Sequence, residues 1–253
     1  MPNSGESDDS NIPATRITVP VIEGSSRPVV QAEIDNILGN LLIDTGASYT
    51  VISSTLLEKE DESWTIVPIL CIGKMCFKDV LVFAWDTPFS QADNNEINGF
   101  IGMNILQGLI LEINHLREVT LDLAGNVCLR GESYPMEYDD HGRPHIDITI
   151  DNHYTQKVLL DTGGKYTTLS TNTLEKLGDY VKNNAVEIPG CTVNGCQEGG
   201  LFVSTVKEYC VADKCEQDVE IKYPLWDSVG NSYFSRFKIV FDFSSSLLFF
   251  CSE

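Results

Sequence analysis

Basic residues are scarce in this chain of 253 residues: 17 Lys and Arg stand against 37 Asp and Glu, a formal net charge of −20 at pH 7. A surface of that sign repels nucleic acid and anionic membrane surfaces, so neither is expected as a partner. It tolerates acid, because protonating some of its carboxylates moves the chain toward neutrality. No apolar run is long enough to span a membrane. Residues 1–12 have neither the basic start nor the apolar core of a signal peptide, and no Asn-x-Ser/Thr sequon occurs. Histidine is limited to His115, His141, His145 and His153, with no His-Glu-x-x-His pair among them, and the last residues of a linker account for His141 and His145. A Gly-x-Ser-x-Gly elbow and a Gly-rich phosphate loop are also missing. Zincin, serine-hydrolase and nucleotide chemistry therefore have no residues to work with.

The chain does have a doubled motif. Asp44-Thr45-Gly46 and Asp161-Thr162-Gly163 each follow an apolar strand-like run, Leu41-Leu42-Ile43 and Val158-Leu159-Leu160. One such triplet arises by chance in about 1 in 20 chains of this length; two copies in matching surroundings do not. Tyr49, Thr50 and Ser53 recur as Tyr166, Thr167 and Ser170. Cys71-x4-Cys76, Asp79-Val80 and Trp85-Asp86 recur as Cys210-x4-Cys215, Asp218-Val219 and Trp226-Asp227. Phe100-Ile101-Gly102 answers to Ser228-Val229-Gly230, and each half is expected to close on a strand with an internal Asp, Asp122 and Asp242. A repeat of this length means one structural unit used twice.

The order of these motifs resembles the aspartic peptidases of the pepsin and retropepsin clan, over roughly residues 14–253. The residues carrying the resemblance are Ile43-Asp44-Thr45-Gly46-Ala47-Ser48, Gly99-Phe100-Ile101-Gly102-Met103, and Val229 to Phe234 leading into Phe237–Asp242. Ala47 is retropepsin-like, whereas two lobes on one chain are pepsin-like. The resemblance implies a mostly β fold of two similar acid-protease lobes, closed or orthogonal barrels with an active-site cleft between them. It implies an aspartic endopeptidase in which a water between Asp44 and Asp161 attacks a peptide bond, the two carboxylates sharing a proton because they cannot both ionise at close range. Thr45 and Thr162 would bond the opposite loop, and Gly46 and Gly163 would let backbone pass close to the carboxylates. Two positions depart from the pattern. Gly164 replaces a hydroxyl that often bonds the second Asp, and Lys165 stands where a small hydroxyl residue is usual. Near the dyad the Lys165 ammonium would lower the carboxylate pKa values; pointing to solvent it would do nothing. These departures motivate the alternative function, a catalytically weak or inactive relative that binds peptide in the same cleft.

Composition and spacing divide the chain into an acidic disordered tail (1–13), a first lobe (14–133), a linker (134–145) and a second lobe (146–253). Helical signals are few, over 54–59, with Glu58 placed as in a capping box, and over 171–182. The distance from the triplet to the next repeated Cys is 27 positions in the first half (44 to 71) and 49 in the second (161 to 210), an excess of 22. One β-hairpin fits that excess. It is expected to be the flap over bound substrate, with Gly195, Gly199, Gly200, Leu201 and Phe202 at the substrate, or else a surface decoration.

Cys71/Cys76, Cys191/Cys196 and Cys210/Cys215 share a Cys-x4-Cys spacing that suits hairpin disulfides better than a zinc knuckle, and Cys128 with Cys251 is left to join the lobes. Disulfides imply an oxidising compartment. With no signal peptide visible, either the chain is a mature or trimmed form or the cysteines are reduced; the expectation is an extracytoplasmic protein, secreted or periplasmic. No cofactor and no metal are expected, the partner is a polypeptide substrate, and two half-sites on one chain make a monomer sufficient.

Overall fold

The computed structural model describes residues 15–59, 62–85, 96–123, 131–177, 185–192 and 195–251, with backbone alone described for 189–192 and 195–199. The chain is mostly β. β1 (Arg16–Pro20) precedes a hairpin of β2 (Val29–Ile34) and β3 (Ile37–Ile43). The turn residues Asp35 and Asn36 both take positive φ, 48° and 71°, which their short polar side chains tolerate and which matches the twist of the flanking strands. In β2, Val30, Ala32 and Ile34 are buried and Gln31 and Glu33 exposed, the period of two that seats one strand face on a core. β4 (Thr50–Ser53), β5 (Ser63–Ile72), β6 (Met75–Trp85) and β7 (Gly99–Ile101) complete a closed barrel in the order β2-β3-β7-β4-β6-β5.

After α1 (Met103–Leu106), β8 (Ile110–Asn114), β9 (Glu118–Asp122), β10 (Glu132–Pro135) and β11 (Glu137–Tyr138), the plan repeats. β12 (Pro144–Ile150), β13 (Tyr154–Leu160) and β14 (Thr167–Thr168) are followed by α2 (Thr171–Leu177), β15 (Val186–Thr192), β16 (Gly195–Val211), β17 (Lys214–Tyr223) and β18 (Ser228–Val229). α3 (Asn231–Phe234), β19 (Lys238–Asp242) and β20 (Leu247–Cys251) are the last elements among the described residues. Pairing of β12 with β16 closes the second barrel as β12-β13-β18-β14-β17-β16, and β15 adds to the outer edge of β16. The 22-residue excess is thus a hairpin, with Thr192 opposite Gly195.

The registers of the two barrels correspond. β3 runs parallel to β7 with Ile43 opposite Ile101, and β13 parallel to β18 with Leu160 opposite Val229. Thr50 lies opposite Val82 as Thr167 lies opposite Ile221. The recurrent Asp79 and Asp218 share a structural position: both sit at positive φ (51° and 53°) where the ladders β5–β6 and β16–β17 each lose one pair without a change of register.

A six-stranded antiparallel sheet, β1-β9-β8-β19-β20-β10, takes strands from both halves. Its centre is the β8–β19 ladder, in which Glu112 faces Val240 and the Lys238 ammonium meets the Glu112 carboxylate at 2.9 Å. Counted from Gly102 and Gly230, Asp242 matches Asn114, not Asp122. The two strands with an internal Asp are therefore not equivalent, contrary to the sequence reading. Asp242 instead accepts bonds from Ser244 Oγ (2.7 Å), Ser245 N (3.0 Å) and Ser245 Oγ (2.8 Å) and so shapes the β19–β20 turn.

Other expectations also meet the structure here. Residues 54–58 form hydrogen-bonded turns in place of a helix, and Glu58, at φ 52°, turns the chain out of the helical region. α2 begins at Thr171 as read and extends to Leu177, while 178–182 lie outside the described residues. The segment 134–145 holds the end of β10, which pairs with β20, then β11, and the start of β12. Cys71–Cys76 and Cys210–Cys215 are disulfides, each across directly opposed strand positions with Cα atoms 4.0 and 3.9 Å apart. Cys251 is also disulfide-bonded, to a cysteine outside the described side chains; Cys128 and the Cys191 and Cys196 side chains lie outside them too, although Cys191 and Cys196 face each other in the β15–β16 register. The grouping of Glu208 with Cys210 and Cys215 offers no zinc site, because both sulfurs are spent in a disulfide and neither is a thiolate. No helix among the described residues is long and apolar enough to cross a membrane.

Candidate active site

Asp44 and Asp161 stand just past the ends of β3 and β13, where each chain leaves a buried strand. Asp44 N–H donates to Ile101 O and Asp161 N–H to Val229 O, both at 3.0 Å, so each loop is anchored to the strand that runs parallel beside it. Beneath the loops lie Gly102 and Gly230. A Cβ on Gly102 would stand 2.5 Å from Tyr49 O, and one on Gly230 would stand 2.2 Å from Tyr166 O, so only glycine allows this approach. Thr50 Oγ1 accepts from Gly102 N–H (3.2 Å) and Thr167 Oγ1 from Gly230 N–H (3.3 Å), which explains why threonine recurs there.

The structure brings the two triplets face to face. Thr45 N–H donates to Thr162 Oγ1 and Thr162 N–H to Thr45 Oγ1, each at 3.1 Å. The hydroxyls donate onward, Thr45 Oγ1 to Leu160 O at 2.6 Å and Thr162 Oγ1 to Ile43 O at 2.7 Å. Both threonines are fully buried, so no water stands ready to replace a lost partner. Thr45→Val strips an acceptor from Thr162 N–H and a donor from Leu160 C=O. At about 1–3 kcal/mol for each buried group left unpaired, an equilibrium denaturation curve should show a loss of roughly 2–6 kcal/mol, with Thr45→Ser recovering most of it. A loss no greater than that of an exposed substitution would mean that the exchange does not hold the halves together.

The carboxyl groups of Asp44 and Asp161 hydrogen-bond each other. Burial first, and then the negative charge of Asp161, hold the Asp44 carboxyl well above the usual carboxylate range, against Gly46 N–H (2.9 Å to Oδ1) and the positive charge of Arg27. Burial raises Asp161 as well. It is opposed there by Gly164 N–H (2.8 Å to Oδ1), the Trp226 indole N–H, the Asp44 carboxyl and Gly163 N–H, all of which favour the charged form. Two carboxyls this close cannot both carry charge, so the pair titrates as one unit that holds a proton between its members. Gly46 and Gly163 each lie against the opposite half's carboxylate: a Cβ on Gly46 would be 2.7 Å from Asp161 Oδ1, and one on Gly163 would be 2.3 Å from Asp44 Cγ.

Lys165, half-buried, carries its ammonium 5.6 Å from the Tyr166 ring centroid. Of the expected flap residues, Gly195 and Gly199 lie in β16, Gly200 takes φ 86° and donates its N–H to Glu187 Oε1 (3.1 Å), and Leu201 is half-buried. Phe202 packs against the hydrophobic core with its ring stacked 5.7 Å from that of Tyr223. The sequence reading gave no role to Asn231 or Trp226. Asn231 Nδ2 donates to Thr162 O (2.6 Å) and Gly164 O (2.7 Å), bracing the second loop from beneath. The recurrence of Trp-Asp in both halves was the available signal for Trp226.

Two facing carboxyls that share a proton, Asp161 buried and Asp44 half-buried, are equipped for general acid–base work on a water molecule. No protein-family model matches the chain, and no curated protein matches it.

Proposed function

We propose that the chain is an aspartic-type endopeptidase of two pepsin- or retropepsin-like lobes, acting on polypeptides at extended, mainly hydrophobic sites. The observation that supports this most is the pair of carboxyls, one from each barrel, hydrogen-bonded to each other and both raised in pKa, on loops of matching construction. A water held between them gives one proton to the Asp161 carboxylate as its oxygen attacks the scissile carbonyl carbon, while Asp44 gives its proton to the carbonyl oxygen. The gem-diol then collapses: the C–N bond breaks, Asp161 passes its proton to the leaving nitrogen, and one diol hydroxyl returns a proton to Asp44. The products are an acid and an amine, and the dyad is as it began. No cofactor enters. With both carboxyls on one chain a monomer suffices, and the disulfides suit an extracytoplasmic setting. In this reading the β15–β16 hairpin is the lid, closing over substrate from the second lobe.

The test is cleavage of an unfolded protein from acid to neutral pH, with and without a transition-state peptide inhibitor such as pepstatin. Cleavage should need the singly protonated dyad, so it fails as pH rises through the raised pKa of Asp44 and again as pH falls through that of Asp161. Inhibitor binding without cleavage at any pH would replace this reading with that of a peptide-binding protein.

A further inference from the structure

Strands β5 and β6 carry apolar side chains on the outer face of the first barrel, where a solvated sheet face ordinarily presents polar ones. Trp64 and Ile66 on β5 stand 52 % and 60 % exposed, directly opposite Phe83, half-buried, and Leu81, 44 % exposed, on β6. The ring of Tyr49, 49 % exposed, meets that of Trp64 edge-on with centroids 5.0 Å apart, and Trp64 meets Phe83 in the same manner at 5.2 Å. The second half supplies the comparison. Counted from the recurrent disulfides, Trp64, Ile66, Leu81 and Phe83 match Val203, Thr205, Glu220 and Lys222, with the same pairing across the hairpin. Tyr166, the match of Tyr49, is half-buried and has the Lys222 ammonium 3.3 Å from its ring centroid. Barrel closure does not require the apolar version, since the second barrel closes without it.

Resting on the peptidase reading for its catalytic consequence, we propose that this face is an accessory binding site for a short extended segment of the substrate polypeptide, one with apolar or aromatic side chains at alternate positions. Side chains two apart on an extended chain recur about every 7 Å, so such a segment laid along the hairpin meets Trp64 and Ile66, or Leu81 and Phe83, in step. The face exposes on the order of 400 Å², about half of the ~800 Å² that each partner buries in a stable interface between folded proteins. A second copy is opposed as well by the net charge of −20 that both would carry. Continuity with the dyad points to the substrate itself, because Tyr49 lies five residues past Asp44 on the loop that carries it. Only a chain long enough to reach the face and the dyad together gains from both, so the site selects unfolded polypeptides over short peptides.

The test uses the whole chain and, as probe, a blocked synthetic peptide of alternating Phe and Thr with Lys at each end, titrated by calorimetry into Asp161→Asn so that the probe stays intact. Binding should be saturable. Adding Leu81→Glu and Phe83→Lys, which writes the second half's residues onto the first, should weaken it about 10-fold or more, the effect of losing a large apolar contact. Ile66→Thr changes the most exposed of the four strand residues and carries the test if the double change does not fold. No saturable binding, or binding that these changes leave intact, overturns the proposal. So does a wild-type dimer in sedimentation equilibrium that the same changes dissolve, since the face would then join two copies. In cleavage assays the double change should raise KM for an unfolded protein about 10-fold at constant kcat, and leave a short peptide spanning only the scissile bond unaffected. A KM that rises equally for the short peptide places the effect at the dyad and overturns the proposal while the peptidase stands. Probe binding that the changes abolish, in a protein that cleaves nothing, upholds the site and sinks the peptidase.

Discussion

Asp44→Asn and Asp161→Asn should each abolish cleavage, with kcat/KM falling by about 10²–10⁴ or more, the contribution usual for a positioned acid or base. An amide at 44 cannot hand a proton to the carbonyl oxygen, and an amide at 161 cannot take one from water. The fold should survive both changes and Asp44→Asn should help it at neutral pH. The Asp44 carboxyl, whose folded-state pKa is raised, contributes stability that is fully present below its unfolded value, near 4, and lost as pH rises through the folded value. Asn has no charge to bury, so the thermal midpoint of the variant should fall less between mildly acid and neutral pH than that of the wild type. Wild-type turnover in either variant would remove the dyad. Identical pH dependence of the midpoint in the wild type and Asp44→Asn would remove the buried proton.

Gly163→Ala should be nearly as damaging although it changes no reacting atom. The added methyl would lie 2.3 Å from Asp44 Cγ and 2.5 Å from both of its oxygens, inside any van der Waals contact. Asp44 is held by Gly46 N–H and by Asp161, and Gly163 follows a threonine locked into the opposite loop, so neither side can yield alone. Misplacing a reacting group by about 1 Å costs on the order of 100-fold, and that is the loss expected in kcat/KM, together with a lowered thermal midpoint. Gly108→Ala is the control, since a Cβ there meets nothing within 4 Å. Near wild-type kinetics in Gly163→Ala would mean that the loops are far looser than their hydrogen bonds imply.

Much of this was legible in the sequence because the site is built from local signals used twice. Asp44 and Asp161 announce themselves by identical neighbours, and the added hairpin of the second half follows from a difference in spacing. What escaped depends on contacts between distant residues. The central sheet joins β1 to β9 and β8 to β19 across the chain, and nothing within a strand says which partner it will find. The likeness of the strands ending in Asp122 and Asp242 misled for that reason, a shared residue type standing in for a shared position. At 54–59 the capping pattern was present but Glu58 took a left-handed conformation, a choice made by the barrel and not by helix propensity. Asn231 is the clearest case. Its separation of 69 residues from Thr162 hides the hydrogen bond, 2.6 Å long, that braces the second loop.

The β8–β19 ladder carries one more implication. Glu112 and Val240, which face each other at its centre, lie ten residues beyond Gly102 and Gly230 respectively, and the flanking pairs Ile110 with Asp242 and Asn114 with Lys238 interchange under the same count. An approximate dyad axis therefore passes through that ladder, and the reciprocal threonine exchange obeys the same rotation. The seam between the halves is isologous in the sense used for twofold oligomers: each half presents to the other the surface it receives. A single half thus already carries a self-complementary edge. Fusion on one polypeptide frees the halves to diverge, and the extra hairpin of the second half is a difference that an association of two identical chains could not hold.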